Sequence, residues 1–266
     1  MIHKLHLNTS KILLPQAYNK PVNAVVISRL NKLNREFYQT FARQFSSTRL
    51  RLQPGVKRIL KELPLDSRLL DLGCGNGELA CGLGQQGFAG FYVGLDGSPA
   101  LIAIARQRFE GRFPAVFIQT DLSMSEWDRP LRGLSDPGLR PPYDTIFAFA
   151  VLHHLPGSAV REQVLRQVRS LLSSQGRFIH SEWQFLNSLR LRQRLQPWEA
   201  VGLDSTQVEP GDYLLDWRQG GHGLRYVHHF SPSELQDLAS AAGFAIVETF
   251  YSDGQEGNLG LYQVWS

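Results

Sequence analysis

Cysteine is scarce. Cys74 and Cys81 are the two in 266 residues, too few for a disulfide framework or a four-cysteine zinc site. Long apolar runs are also missing: Thr145 to Leu152 is the longest, well short of the ~20 residues that span a bilayer. Met1-Ile2-His3-Lys4 opens no apolar signal segment, so a cytoplasmic protein without a membrane anchor is expected. The eight histidines lack ligand spacing with Cys or acids, apart from the adjacent pairs His153-His154 and His228-His229, and no metal is expected. No motif for a nucleophilic Ser or Cys is visible.

Lysine is absent beyond Lys61. Residues 1–62 carry twelve Lys and Arg against two acids, whereas residues 63–266 carry sixteen Arg against twenty-two acids. The net +4 thus hides a leading segment of +10 on a body of −6. A basic handle on an acidic body is suited to a polyanion, nucleic acid above all, although a solvated basic helix explains the charge alone as well. With 42 % hydrophobic and 20 % charged residues, the chain has globular composition.

Residues 1–34 show no clear period and read as an arm. Phe37, Phe41 and Phe45, then Val56, Ile59, Leu60 and Leu63, recur at helical spacing, and Pro64 ends that stretch. From there strands and helices alternate in the manner of a parallel α/β sheet. Strands are expected at 68–72, 91–95, 115–119, 143–148 and 177–183, and helices at 78–86, 99–109 and 159–172. Ser123–Pro142 reads as a loop. Residues 185–230 read as a cap inserted between core strands, with Trp198 and Trp217 as anchors or base-stacking rings. Ser231-Pro232-Ser233-Glu234 is a helix N-cap, with proline first and an acid in the first turn. Two closing strands at 244–250 and 259–264 flank a glycine-rich turn and should pair antiparallel. The expected organisation is a helical segment, 1–63, followed by a domain, 64–266, that carries the insertion.

Asp71-Leu72-Gly73-Cys74-Gly75-Asn76-Gly77 follows the first strand and opens a helix. Glycines at alternate positions let a ligand approach the main chain, and the helix start adds oriented N–H groups. The third glycine comes one residue too early for a dinucleotide fingerprint. The leading Asp71 repels a pyrophosphate and favours a ligand with a cationic amino group and a sulfonium. Asp96 ends the second strand, where an acid can accept from ribose hydroxyls. Asp121 ends the third and could accept from an adenine amino group.

The run DLGCGNG, with the Asp of GLDGS and the Asp of QTDL, resembles the class I S-adenosylmethionine-dependent methyltransferases over about residues 64–266. The resemblance implies a Rossmann-like seven-stranded sheet whose last strand is antiparallel, and S-adenosyl-L-methionine as cofactor. It implies a cofactor-facing set of Asp71, Gly73, Gly75, Gly77, Asp96, Asp121, Leu122 and Ala148. A narrower likeness lies in Phe45-Ser46-Ser47-Thr48-Arg49, Ala150-Val151-Leu152-His153-His154, Gly211-Asp212-Tyr213-Leu214 and Arg225-Tyr226-Val227-His228. These are similar, in order, to the family that methylates the carboxymethyl group on wobble uridine of tRNA. The chain departs from that family in lacking a Trp shortly after Arg49 and in following Asn258 with Leu259. Members of the family work with a small zinc-binding activator protein, a partner implied by resemblance only.

A carboxylate acceptor is ionised at pH 7 and needs orientation, not a base. Arg225, Tyr226 and His228, with His153 and Arg49, form the candidate catalytic set that would hold it, Arg being suited to a two-pronged grip. Asp212 and Asp216 are alternative salt-bridge partners for Arg225. A small-molecule O- or C-methyltransferase, or an inactive cofactor-binding adaptor, remains open on the same scaffold.

Overall fold

The computed structural model describes residues 22–266; residues 1–21, most of the expected arm, lie outside them. Residues 24–34 belong to a helix, α1 (Ala24–Thr40), rather than to an arm. Val25, Val26 and Ile27 are weak helix formers, which hides this start in the sequence. The Asn23 side chain caps it by accepting from the Val25 N–H at 2.8 Å, and Val26, Leu30, Asn34 and Phe37 form its buried face. Two short helices follow, α2 (Ala42–Ser47) and α3 (Pro54–Leu60).

The body begins with β1 (Arg68–Leu72), α4 (Glu78–Gln85), β2 (Phe91–Asp96), α5 (Pro99–Arg108) and β3 (Ala115–Gln119). Within the expected loop a one-turn α6 (Arg129–Arg132) forms. Next come β4 (Tyr143–Phe149), α7 (Ser158–Leu171) and β5 (Leu172–Trp183). The strand expected from 177 starts earlier: residues 173–176 already belong to β5, with a register shift against Tyr143 and Thr145. The expected cap contains α8 (Leu189–Arg192) and a small antiparallel sheet of β6 (Leu195–Gln196), β7 (Asp212–Trp217) and β8 (Gly223–His228). The chain closes with α9 (Pro232–Ala241), β9 (Ile246–Ser252) and β10 (Gly260–Trp265). Ser231 caps α9 as its sequence predicts, accepting from the Glu234 N–H at 3.1 Å.

The large sheet has the order β3-β2-β1-β4-β5-β10-β9. Its first five strands are parallel, and β10 runs antiparallel to both neighbours. Strand residues alternate between two cores. Leu70, Leu72, Val93, Leu95, Ile146 and Phe178 meet α7 and α9 on one face. Leu69, Tyr92, Phe147 and Ile179 meet α3, α4 and α5 on the other. The strand order reverses between β1 and β4, and it is beyond the carboxyl ends of strands at such a switch point that open α/β sheets bind ligands. Among the described residues no helix is long and apolar enough to cross a membrane.

Candidate active site

The three glycines after β1 all adopt the left-handed region, with φ of +67° at Gly73, +55° at Gly75 and +76° at Gly77. Their surroundings differ. A Cβ at Gly73 would lie 2.5 Å from Val151 Cγ2, and one at Gly77 would lie 3.0 Å from Ala105 Cβ in α5. A Cβ at Gly75 would meet only the Gly73 carbonyl oxygen, at 4.0 Å. Gly75 is therefore the open side of the cradle. Gly73 lets the loop meet the end of β4, and Gly77, expected to face the cofactor, instead lets α4 and α5 pack closely.

Asp96 fixes the loop from β2. It accepts from the Gly75 N–H at 2.9 Å and from the Ser98 N–H at 2.8 Å, while burial pushes its carboxyl up to about 6. Spare lone pairs remain for a pair of hydroxyls. Asp71 lies beneath the loop, on the face of α3 to α5, and accepts from the Tyr92 hydroxyl at 2.6 Å. Burial raises it to about 7. It acts on the loop from below and does not line it. Asp121 accepts from the Ser123 N–H and hydroxyl at 2.9 and 2.6 Å, and Arg35 of α1 stands 3.4 Å away. Leu122 is buried beside it. Ala148 is wholly enclosed in the core that faces α7 and α9, so its place in the expected cofactor-facing set is corrected. An uncluttered Gly75, carboxylates at two successive strand ends and a helix start form a donor set that fits S-adenosyl-L-methionine: Asp96 could hold the ribose, Asp121 the adenine and the 73–77 main chain the amino-acid end.

The leading helices close over this loop. Asn76 donates to Ser46 Oγ at 2.9 Å and to the Arg49 carbonyl at 3.1 Å. Asn34 accepts from the Tyr226 N–H at 2.8 Å and donates to the Tyr226 and His154 carbonyls at 3.1 and 3.2 Å, which stitches α1 to β8. His154 Nδ1 meets the Tyr226 carbonyl at 3.2 Å, so that nitrogen carries the proton. Its Nε2 then accepts from the Tyr38 hydroxyl at 2.7 Å.

Where α1, β5 and the small sheet converge lies Arg225. It is 7 % exposed, and its guanidinium carbon sits 4.8 Å from the Trp183 ring centroid, 5.5 Å from Phe37 and 5.8 Å from Trp217. Asp216 pairs with Arg218 and Asp212 with His228. Among the described residues no carboxylate pairs with Arg225, and its Nε is buried without a hydrogen-bond partner. Burial pushes its pKa down, yet a guanidinium stays charged at neutral pH. Burial raises the Tyr38 phenol against the opposing pull of Arg225 and Arg49. Tyr38 was not singled out in the sequence; its helical spacing to Phe41 and Phe45 is the signal that was there.

Tyr226 and His228 face away from Arg225, because alternate residues of β8 point to opposite sides. Tyr226 donates to Asp212 at 2.7 Å; His228 Nδ1 stands 2.6 Å from Asp212 and its Nε2 2.9 Å from Glu234. Burial opposes a charged imidazole there, but these two acids hold the His228 pKa above its ordinary value. Buried Arg161 completes the network, 2.5 Å from Glu209 and 3.5 Å from Glu234. The expected cluster of Arg225, Tyr226 and His228 is therefore divided: the first points among Phe37, Trp183 and Trp217, and the other two join Asp212 in the cap. Glu209, Asp212 and His228 also offer ligand atoms within 4.8 Å of one another, a grouping their sequence spacing conceals. The Arg161 guanidinium on Glu209 supplies the compensating positive charge there.

His153 is buried after β4. Its Nδ1 lies 3.2 Å from Glu182 Oε2, and His180 Nδ1 lies 3.0 Å from Glu182 Oε1. Burial raises Glu182 and lowers both imidazoles. Period-2 alternation along β5 could have paired His180 with Glu182, but their meeting with His153 needs the β4–β5 register. Arg49 is exposed after α2 and adds positive charge near Arg225, His153 and His154.

Residues 42–249 match the family model described as "Methyltransferase domain". The tRNA (carboxymethyluridine(34)-5-O)-methyltransferase of Schizosaccharomyces pombe is 27 % identical over 243 residues, 83 % of this chain and 92 % of that protein. The protein of the same name in Saccharomyces cerevisiae is 32 % identical over 146 residues, 55 % of this chain and 46 % of that one. Among solved structures, a SAM-dependent methyltransferase from Methanosarcina mazei superposes with a TM-score of 0.58 at 22 % identity, covering 81 % of this chain and 98 % of that one. With its seven-stranded sheet, glycine loop and strand-end acids, the chain belongs to the methyltransferase-domain family and is an S-adenosylmethionine-dependent methyltransferase.

Proposed function

We propose that this methyltransferase esterifies the carboxymethyl group of a wobble uridine in tRNA. The observation that carries the reading is Arg225, a buried cation in a cage of Phe37, Trp183 and Trp217 without a carboxylate partner among the described residues. Taking a cation out of water is unfavourable unless an anion meets it, and an acceptor carboxylate is such an anion. The relatives whose names specify carboxymethyluridine support the same acceptor.

When bound, S-adenosyl-L-methionine supplies an electrophilic methyl group. The transfer forms a carboxylate O–CH3 bond, breaks the S–CH3 bond and moves no proton, so no general base is required. The protein's task is placement. Arg225 grips the carboxylate with two N–H groups, the aromatic cage excludes water, and Tyr38 and His154 complete the wall. Esterification removes the negative charge that Arg225 holds, which weakens the grip on product relative to substrate.

Exposed Arg43, Arg49 and Arg51 by α2, Arg190 and Arg192 on α8, and Arg218 after β7 supply basic groups for phosphates. The β7–β8 turn packs on α2 through Gly220 against Gln44, which brings Arg218 of that turn towards the arginines by α2. The decisive experiment incubates the protein with methyl-labelled donor and tRNA bearing carboxymethyluridine, digests the RNA and identifies the labelled nucleoside. Label in an ester that mild alkali removes supports the reading. Alkali-stable label, or label in small metabolites alone, refutes it. Affinity for tRNA should fall steeply with salt.

A further inference from the structure

We propose that Glu182 and His180 are positioning residues that hold His153 as a neutral imidazole with its proton on Nε2, a fixed hydrogen-bond donor for the acceptor group. The role in acceptor binding rests on the carboxylate reading above; the tautomer itself does not.

The argument starts at His153 Nδ1. The Trp183 main-chain N–H is directed at it from 3.4 Å, and an N–H can be directed only at a lone pair. Nδ1 therefore lacks a proton, and in a neutral ring the proton sits on Nε2. Glu182 Oε2 is 3.2 Å from the same unprotonated nitrogen. Two lone pairs repel, so the carboxyl must contribute the hydrogen: Glu182 is in its acid form and donates to His153. Its proton is then spent. Oε1, 3.0 Å from His180 Nδ1, can only accept, so His180 carries its proton on Nδ1. His180 Nε2, which is buried without a partner, is then a bare nitrogen and strands no N–H group. One proton assignment satisfies every contact.

The surroundings agree. Glu182 and His180 are fully enclosed between β4 and β10, with His180 edge-on to Trp265 at 4.5 Å. A charged acid is disfavoured there. The charged and titratable groups that face His153 are Glu182 from β5, His154 from its own turn, Arg225 and His228 from β8, and Arg49 from the segment after α2. The nearby positive charges oppose protonation of His153 to an imidazolium. Its Nε2 makes no hydrogen bond among the described residues, which leaves this donor free for a ligand there. A neutral N–H beside Arg225 can donate to a carboxylate oxygen that Arg225 leaves free, and it still serves as donor to the carbonyl of the neutral ester.

The full-length protein tests this with Glu182→Gln and Glu182→Leu. The Gln amide can donate to His153 Nδ1 and accept from His180, so it reproduces the pattern of the neutral acid; Leu fills similar volume and does neither. Losing one oriented donor should reduce kcat in Glu182→Leu about tenfold, with donor affinity unchanged by calorimetry. Glu182→Gln should restore kcat to within about threefold of the natural enzyme. Nitrogen NMR of 15N-histidine-labelled protein should show His153 Nδ1 unprotonated and Nε2 protonated, and Glu182→Leu should lose that single tautomer. A proton on Nδ1 overturns the proposal. So does a Glu182→Gln variant that is folded, by its melting transition, but as impaired as Glu182→Leu. If the natural enzyme transfers nothing to carboxymethyluridine, the acceptor reading fails, and the NMR tautomer alone decides the network.

Discussion

Replacing Arg225 by Met separates a binding role from a structural one, because the two predict opposite signs for stability. In the free protein the guanidinium is desolvated without a carboxylate among the described residues. The effective penalty for burying an ion is several kcal/mol, and three aromatic rings at about 1 kcal/mol each return only part of it. Met has an unbranched apolar chain of comparable length that leaves the cage filled. Arg225→Met should therefore leave the free protein as stable as before or more stable, by about 1–2 kcal/mol, or a few degrees in Tm. Catalysis should move the other way. Truncating one partner of a buried charge-assisted pair costs about 3 kcal/mol, which is about a hundredfold in kcat/KM for the carboxymethyl acceptor. Affinity for the methyl donor should stay within about twofold, since the Gly75–Asp96 contact is untouched. Thermal melting without ligands, calorimetry with the donor and steady-state transfer to tRNA read the three quantities. A destabilised variant that keeps its kcat/KM would refute the assignment and make Arg225 a structural residue.

Gly75→Ala should cost only about 1 kcal/mol of stability, the penalty of its left-handed conformation. It should weaken donor binding at least tenfold, because the new methyl enters the one open side of the cradle; titration calorimetry beside chemical denaturation checks both. Donor affinity should also depend on pH. Asp96 and Asp71 titrate at about 6 and about 7 in the folded protein, so both are ionised only above this range. A cationic donor should bind more tightly as pH rises from 5.5 to 8. The demethylated product, which lacks the sulfonium, should show a weaker trend, and identical slopes would count against the two acids. Ala150 holds φ of +59° between β4 and His153. Ala150→Gly should stabilise the fold by about 1 kcal/mol by relieving that strain, while loosening the turn and lowering kcat, as equilibrium unfolding and transfer assays will show.

Much of this architecture was legible in the chain. The spacing of Asp71, Asp96 and Asp121 along alternating strands and helices marked the crevice, and the Ser231 cap placed α9 to the residue. The start of α1 was hidden because its β-branched residues favour helix poorly and its stability comes from docking Val26 and Leu30 against the small sheet. The cap's sheet was hidden for a related reason. β6 is two residues long and pairs with β7 across a loop of about fifteen residues, so no local pattern announces it. Within the site, adjacent residues misled. Arg225 and Tyr226 are neighbours in the chain, yet strand alternation sends one to the aromatic cage at Trp183 and the other to Asp212.

Local sequence determined the features with short-range causes: glycine where the main chain turns left-handed, acids at strand ends, caps and amphipathic faces. Only the tertiary structure decided which charges are answered. Asp212 finds His228, and Glu209 finds Arg161. Glu182 is enclosed between two imidazoles, while Arg225 is left among aromatic rings. Such partnerships depend on solvent exclusion and on contacts between residues tens of positions apart. Their electrostatics exist only once the chain has folded.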